Sequence, residues 1–313
     1  MSKYFSILLS LFVLIVVTFV VVNLKSDRVD IIKMPDIGEF EKKKTCAIQP
    51  LFLTKLRVPQ PIAVDLSQQQ YRGVAFLFGP NLSQSVHPKS WKRFDHFSSY
   101  ILDPKGHMYL TPMPYITVEP NTFEFQKSIY KLNSNSGKLD IWTTLDEVKA
   151  GANNPFGLIA LDYDCADDTL WVSAIDESSY TEAKGIIYHI DVQSKKILQR
   201  VEVIDALSVK LLESKKGKYL LTGSARDNKL YAYEIKNREL SSTPIELLEL
   251  PDFNERVRKI NIMGKNSLRL ETIPFTYTLI AETGEEQSVR ENYDVKWNPN
   301  LTVWEIKNGK SGD

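Results

Sequence analysis

Apolar and polar residues alternate in short runs along most of the chain, and the best-formed example lies between residues 153 and 203. Four runs rich in β-branched and aromatic residues are separated there by turn-forming residues; the runs are Leu158–Leu161, Thr169–Ala174, Gly185–Ile190 and Lys196–Val203. Runs of this kind, bounded by Asp, Ser and Gln, are typical of β-strands joined by hairpin turns. Because about fifty residues hold four strands and no long helix, this stretch predicts one blade of a β-propeller.

The same pattern recurs along the chain, and a tyrosine marks each copy. Each tyrosine follows two apolar strands joined by a turn. An aliphatic residue comes two positions after the tyrosine, and a polar turn follows that residue. The four tyrosines are Tyr130, Tyr188, Tyr233 and Tyr277. Four-stranded units repeating at about 45 residues are the signature of a β-propeller. We therefore predict an all-β propeller domain over residues 61–313. A β-sandwich is the alternative, but a sandwich does not require such internal similarity.

The number of blades depends on how the two ends of the domain are used. Residues 61–308 offer room for five or six blades of about 40–50 residues each. A fifth copy of the pattern, Val303–Ile306, comes early, which suggests a blade shared between the two ends. In that arrangement an early strand near Val74–Phe78 would complete the sheet that the last strand begins. Six blades are therefore favoured, with five as the alternative.

The first residues of the chain predict a membrane anchor. Tyr4–Leu24 contains no charged residue, and as a helix it would span roughly 31 Å, about the thickness of the bilayer hydrocarbon. No small-residue cleavage site follows, so a signal anchor over residues 1–26, with a short N-terminal tail, is favoured over a removable signal peptide. Prolines and charges predict a linker over 27–60, in which Lys42–Lys44 either is solvated or contacts anionic lipid headgroups.

The orientation of the anchor is less clearly encoded than its presence. Lys3 precedes the apolar stretch, and Lys25 and Arg28 follow it, so the flanking positive charges nearly balance. A short N-terminal tail before a large β domain nevertheless favours a domain outside the cytoplasm. We expect a single-pass protein of the cell membrane, with its C-terminal domain in the periplasm or the extracellular space.

Charge and cysteine content narrow the function and leave one question open. With 39 basic and 39 acidic residues the formal net charge is zero, and no basic stripe marks a nucleic-acid binder, so that class is disfavoured. Cys46 and Cys165 lack the spacing of a zinc site. Two unpaired thiols are the simpler interpretation; a bridge between them would require an oxidising compartment.

One segment resembles a known group of propellers. Asn154–Asp162, followed by Thr169–Ser173, is similar to a blade opening of the NHL, strictosidine-synthase-like and SMP-30/gluconolactonase-like families. In the lactonase branch, the resemblance implies one divalent cation in the central channel, held by Glu, Asn and Asp side chains from different blades. Asn154 and Asp176 are the residues that correspond here, although no glutamate matches the early Glu of the family.

Other candidate motifs are better accounted for by turns and packing. Four carboxylates, the ligand type that calcium prefers, cluster at Asp162, Asp164, Asp167 and Asp168, but without EF-hand spacing. Aspartates also dominate hairpin turns, so a turn is predicted there. The four histidines form no HxxxH pair, and no GxSxG or P-loop sequence is present.

Two classes of function follow from these patterns. The favoured class is a non-catalytic binding or scaffolding module, in which one face of the propeller holds a protein partner or a small molecule. The alternative is a metal-dependent lactone or ester hydrolase, with Asn154 and Asp176 as ligands of one divalent cation such as Ca²⁺. No catalytic residue can be named for it, since a fold alone does not define a function.

Overall fold

About half of the described residues lie in short β-strands, as a computed structural model of the chain shows. The structure describes residues 35–66, 71–94, 96–115, 122–278 and 291–309. The predicted membrane anchor over 1–26 lies outside these residues. None of the helices in the described ranges is long and apolar enough to span a bilayer.

The described strands form five antiparallel sheets, which we number as blades in chain order. Blade 1 contains β1 (Ile62–Asp65), β2 (Ala75–Phe78) and β3 (Gln84–Val86). Blade 2 contains β4 (His96–Leu102), β5 (Met108–Met113), β6 (Ser128–Leu132) and β7 (Leu139–Thr144). Blade 3 contains β8 (Leu158–Asp164), β9 (Thr169–Ala174), β10 (Gly185–Asp191) and β11 (Ile197–Val203).

Blade 4 contains β12 (Ala206–Glu213), β13 (Lys218–Ser224), β14 (Lys229–Lys236), β15 (Glu239–Leu240) and β16 (Ile245–Glu249); the last two both pair with β14. Blade 5 contains β17 (Glu255–Gly264), β18 (Ser267–Pro274), β19 (Glu291–Asn298) and β20 (Val303–Gly309). The described helical segments are short: α1 (Leu51–Lys55), α2 (Phe123–Gln126) and 3₁₀ turns at Pro80–Leu82 and Lys89–Arg93.

The all-β propeller prediction is confirmed, but the favoured count of six blades is wrong, because the described strands form five. The last run, in β20, pairs with its neighbour β19 inside blade 5, while β2 pairs with β1 and β3 inside blade 1. No blade is shared between these two ends of the described chain. Each of these strands pairs with a strand that is adjacent in sequence, so neither requires a partner from the other end of the domain.

The tyrosine repeat is real, but one copy was misplaced. Tyr130, Tyr188 and Tyr233 lie on the third strand of their blades and are almost fully buried. In blade 5 the equivalent residue is Tyr293 on β19, whereas Tyr277 lies in the segment after β18. The pattern around Tyr277 imitates a strand end, but its neighbour Thr276 donates a hydrogen bond to the carbonyl of Thr278 within the loop.

Apolar side chains between adjacent blades form the core. One buried cluster joins blades 1 and 2, including Phe76 and Trp91, and a second joins blades 2 and 3, including Tyr109. Two more clusters join blades 3 with 4 and 4 with 5, around Trp171 and Tyr293 respectively. Each twisted sheet therefore buries its faces against its neighbours rather than alone.

The first strands of blades 2 to 5 share an irregularity. Near the start of each of these strands the pairing with the second strand shifts register at one residue, and these residues are Ser98, Ile159, Leu207 and Arg258; blade 5 has a second shift at Met263. A β-bulge leaves its extra residue outside the ladder. The carbonyl groups of such residues need other partners, because an unpaired buried carbonyl is costly.

Side chains of other blades supply those partners for three of the four carbonyls, those of Ser98, Ile159 and Leu207. The hydroxyl of Ser98 donates to the carbonyl of Ile159 over 2.6 Å. The guanidinium of Arg258 donates to the carbonyls of Leu207 (3.2 Å) and Ser98 (2.7 Å), so it links blade 5 to blades 4 and 2. Ser208, next to its own bulge, donates to the carbonyl of Val257 over 2.8 Å. We call this set of bonds the bulge belt.

The segment before blade 1 crosses one end of the propeller. We call residues 36–56 the strap, and the end that it crosses, where the β4–β5, β8–β9, β12–β13 and β17–β18 turns lie, the hairpin face. Phe40 exchanges hydrogen bonds with Asn266 of the β17–β18 turn, each 2.9 Å long. The amide of Lys215, in the β12–β13 turn, donates to the carbonyl of Glu39 over 2.8 Å.

The strap then reaches blades 3 and 2. Cys46 forms a disulfide with Cys165 of the β8–β9 turn, with the two Cα atoms 6.0 Å apart. The amide of Phe52 in α1 donates to the carbonyl of Ser134 in the β6–β7 turn over 2.7 Å. The open question of the cysteines is thereby settled in favour of the bridge.

The strap also occupies most of the sequence in which a linker was predicted. Four of its apolar side chains, Ile37, Phe40, Phe52 and Leu53, are buried. From residue 34 onward the chain belongs to one compact unit. The described part of the predicted linker is therefore packed on the propeller, whose first strand begins at Ile62.

In the acidic stretch of blade 3, Asp167 and Asp168 lie in a hairpin turn, as predicted, whereas Asp162 and Asp164 lie in β8. The stretch also joins two blades. Lys210 of β12 lies 2.9 Å from the buried carboxylate of Asp162, and Lys218 of β13 pairs with Asp164. Arg238 lies 3.2 Å from Asp167. The aspartates thus bind cationic side chains of blade 4.

The disulfide generates the first prediction. Replacing Cys46 by Ser should lower the free energy of unfolding by about 2–5 kcal/mol, because the bridge closes a long loop in the unfolded chain. The two cysteines are 119 residues apart in sequence. Denaturant unfolding of the protein measures the effect. Reductant should lower the wild type to the level of the variant and leave the Cys46→Ser, Cys165→Ser double variant unchanged; a wild type insensitive to reductant would contradict the prediction.

Candidate functional site

The end of the propeller opposite the strap, which we call the loop face, contains a network of charged and phenolic side chains. Its centre is Asp205, in the β11–β12 connection, whose surface is fully buried. Its carboxylate accepts hydrogen bonds from Ser178 Oγ at 2.6 Å, Arg226 Nη1 at 3.1 Å and the hydroxyl of Tyr277. A buried carboxylate with several donors is held in one position, because losing any of them would leave charge without compensation.

Arg226 extends the network to the neighbouring loop. Its guanidinium donates to the carbonyls of Ser179 and Tyr180, each over 2.8 Å, and lies 5.8 Å from the ring centre of Tyr277. Burial and the hydrogen bond to Asp205 raise the pKa of Tyr277, so this phenol stays protonated and donates. The network therefore fixes the loops of blades 3, 4 and 5 against one another.

Local sequence explains why these loops can approach so closely. Gly185 begins β10 beside the β11–β12 connection, and a Cβ atom there would lie 2.3 Å from the carbonyl oxygen of Ile204. Such a contact is sterically forbidden, so any larger residue would push the connection that holds Asp205 away from blade 3.

Two exposed aromatic side chains flank this network. Tyr180 and Phe253 are 60% and 74% exposed. Arg256 donates to the carbonyl of Ala225 over 3.2 Å and to that of Phe253 over 2.6 Å, so a guanidinium holds the backbone beside each aromatic residue. We call Tyr180, Arg226, Arg256 and Phe253 the aromatic arc. Aromatic and arginine side chains together suit a ligand with a carboxylate or an apolar face.

Asn154, a predicted metal ligand, has a structural role in the described contacts. Its side-chain amide donates to the carbonyls of Ile175 (2.6 Å) and Ser178 (2.9 Å), and its oxygen accepts from the amide of Phe156 over 3.0 Å. It is 5% exposed. The side chain ties the β7–β8 loop to the β9–β10 loop.

Asp176, the second predicted ligand, lies in the same loop that Asn154 holds. Its Oδ2 atom accepts from the amide of Lys149 over 2.7 Å, whereas its buried Oδ1 atom has no hydrogen-bond partner among the described residues. Burial raises the pKa of this carboxyl group. No group of three or more His, Cys, Asp or Glu side chains suited to a metal ion occurs in the described ranges. The metal site stays a prediction.

Sequence reasoning did not find the Asp205 network. Asp205, Arg226 and Tyr277 belong to no motif, and 72 residues separate the first from the last. The sequence pattern places Tyr277 at the end of a strand instead. The one available signal was an aspartate between two apolar strands, at a connection too short to place it far from the core.

Comparisons with known proteins leave the family undetermined. No protein-family model matches the chain, and no curated protein matches it. A candidate 6-phosphogluconolactonase from Bacteroides fragilis is similar in structure, at 12% identity and a TM-score of 0.42, over 80% of this chain and 81% of that one. Hydrazine synthase from Kuenenia stuttgartiensis is similar at 10% identity and a TM-score of 0.40, over 79% of this chain and 62% of that one.

An α-L-arabinofuranosidase from Lactobacillus brevis gives 13% identity and a TM-score of 0.39, over 67% of this chain and 71% of that one. Likenesses at this level support no argument about activity. The fold assignment therefore depends on the five blades themselves.

The buried carboxyl group of Asp176 gives a pH-dependent prediction. The pKa of Asp176 is raised in the folded state, so its proton stabilises the fold at low pH. This stabilisation is lost as the pH rises from the ordinary pKa of an aspartate, about 3.9, through the pKa of the folded state. We expect the unfolding midpoint of Asp176→Asn to exceed that of the wild type increasingly over this rise.

Denaturant unfolding at several pH values measures the difference. Glu182→Gln, which alters an exposed carboxylate of the same loop, is the matched control and should show no such divergence. Parallel curves for wild type and Asp176→Asn would contradict the assignment of the penalty to Asp176.

Proposed function

We propose that the protein is a membrane-anchored binding module whose propeller lies outside the cytoplasm and whose loop face holds a protein partner or a small molecule. The aromatic arc is the observation on which this depends. Its two aromatic rings are exposed, and the backbone beneath them is fixed by arginine hydrogen bonds. Rigid, exposed aromatic residues beside arginines lose little entropy on binding, which favours recognition.

The disulfide supports the proposed compartment. A bridge such as Cys46–Cys165 persists in oxidising surroundings and is rare in the cytosol. Cys165 is exposed, so cytosolic reductants would reach the bridge. Together with the uncharged stretch Tyr4–Leu24, this favours a single span with the C-terminal domain in the periplasm or outside the cell.

A metal-dependent lactone or ester hydrolase is the second candidate. The Oδ1 atom of Asp176, which has no partner within the described part of the chain, is the observation that favours it. Carboxylate oxygens are ligands that Ca²⁺ prefers, but the amide of Asn154 is already used for backbone carbonyls. A stoichiometric divalent cation in the purified protein, lost together with lactone hydrolysis in Asp176→Asn, would favour this function over the first.

Site-specific photo-crosslinking tests the binding function. A benzophenone amino acid in place of Tyr180 or Phe253, in the full chain in its native membrane, should give a discrete crosslinked product because the arc contacts the partner. The matched control replaces Leu198, which is 50% exposed but lies on the outer strand β11. Products of equal yield at Leu198, or none at the arc in the presence of a lysate and of small-molecule extracts, would contradict the proposal.

Protease accessibility tests the orientation. Protease added outside intact spheroplasts should digest the propeller, since the domain is proposed to lie outside the cytoplasm. A cytoplasmic protein serves as the control for intact membranes. If the domain were digested only after lysis, the proposed orientation would be wrong.

A further inference from the structure

Exposed aliphatic side chains collect on the hairpin face. Three lie in or beside the strap, namely Ile48, Leu51 and Leu56. The others stand at turns of blades 1 and 5: Leu82, Met263 and Leu301. Each is at least 40% exposed. None of these six side chains is aromatic, whereas the loop face carries exposed aromatic residues. The two ends of the propeller therefore differ in chemistry.

Exposed lysines lie among these aliphatic residues. Several of them have no carboxylate within ion-pair distance among the described residues, including Lys42, Lys44, Lys105, Lys196 and Lys296. Several carboxylates of this face form ion pairs with lysines or are buried. Asp36 and Glu39 pair with lysines of blade 4, and Asp103 is buried.

The loop face has the opposite balance. Asp146, Glu147, Asp227 and Asp252 lie in its connections, and the described lysines and arginines form no ion pair with them. Because the formal net charge of the chain is zero, this separation is not visible in the composition. Among the described residues it leaves unpaired lysines on the hairpin face, which therefore attracts anions, and unpaired carboxylates in the connections of the loop face.

We propose that the hairpin face docks on the surface of a bilayer containing anionic phospholipids. Lysines near such a surface are attracted to the phosphate groups, and single aliphatic side chains at turn tips enter the headgroup region. The inference rests on the proposed membrane anchor, since the described chain starts on this face, at the strap. Docking in this orientation would direct the aromatic arc away from the membrane, toward a partner in the aqueous compartment.

Lysine footprinting of the full chain tests the docking. The protein is placed in nanodiscs of phosphatidylcholine alone, or of phosphatidylcholine and phosphatidylglycerol in equal parts, and its lysines are acetylated. We expect Lys105, Lys196 and Lys296 to react several-fold more slowly in the anionic discs, and high salt to remove the difference by screening. Lys149 and Lys184 of the loop face are internal controls and should react equally in both discs.

Two sets of variants distinguish docking on lipid from coverage of the hairpin face by a protein. Lys105→Gln, Lys196→Gln and Lys296→Gln together should abolish the lipid-dependent protection of Lys42 and Lys44, whereas the matched Lys149→Gln, Lys184→Gln variant should retain it. These side chains are exposed, and a denaturant unfolding transition with the midpoint of the wild type confirms that each variant is folded. Equal labelling of the lysines in both discs would overturn the proposal. Protection of the lysines that does not depend on lipid charge, which is the result expected for a covering protein, would overturn it as well.

Failure of the anchor would look different. A chain that separates from both kinds of disc on size exclusion would contradict the proposed membrane anchor. If that chain still bound vesicles of phosphatidylglycerol in a salt-dependent way, the docking face would be supported without the anchor; if it did not bind them, docking would fail as well.

Discussion

The bulge belt is the constraint on which the rest of the propeller depends. Each inner strand has one hydrogen-bonding edge with no further strand to pair with, and its bulged residue adds a carbonyl outside the ladder. Ser98 and Arg258 satisfy carbonyls of bulged residues in other blades, and Ser208 binds the carbonyl of Val257 beside the bulge of blade 5. The centre therefore binds the blades to one another through polar contacts, while the apolar clusters between the sheets supply most of the burial.

The two ends of the propeller use their polar groups differently. On the hairpin face the strap and its disulfide cover four blades, which leaves exposed lysines and aliphatic residues around it. On the loop face Asp205 draws three loops together, so that Tyr180 and Phe253 stand on a rigid base. This division is consistent with one end that lies against a surface and another that recognises a ligand, because each end offers a different chemistry.

Much of the fold could be predicted because its signals are local. The strands of blade 3, the hairpin at Asp164–Asp168 and the buried tyrosines of the third strands follow from alternation and turn residues. The prediction of a sixth blade was wrong because the strand at Val303–Ile306 pairs with the strand next to it in sequence. The partner of a strand cannot be read from the residues of that strand alone. Tyr277 was misplaced for a related reason, since an aromatic residue near an aliphatic one occurs in loops as well as in strands.

The sequence by itself determined the class of the fold, the periodic placement of buried aromatic residues and the apolar stretch at Tyr4–Leu24. Only the tertiary structure decided that Cys46 meets Cys165, that the predicted linker packs as a strap, and that Asp205 meets Arg226 and Tyr277. The physical reason is distance along the chain. Periodicity reports which side of a strand is buried, whereas contacts between residues far apart in sequence depend on how whole blades stack.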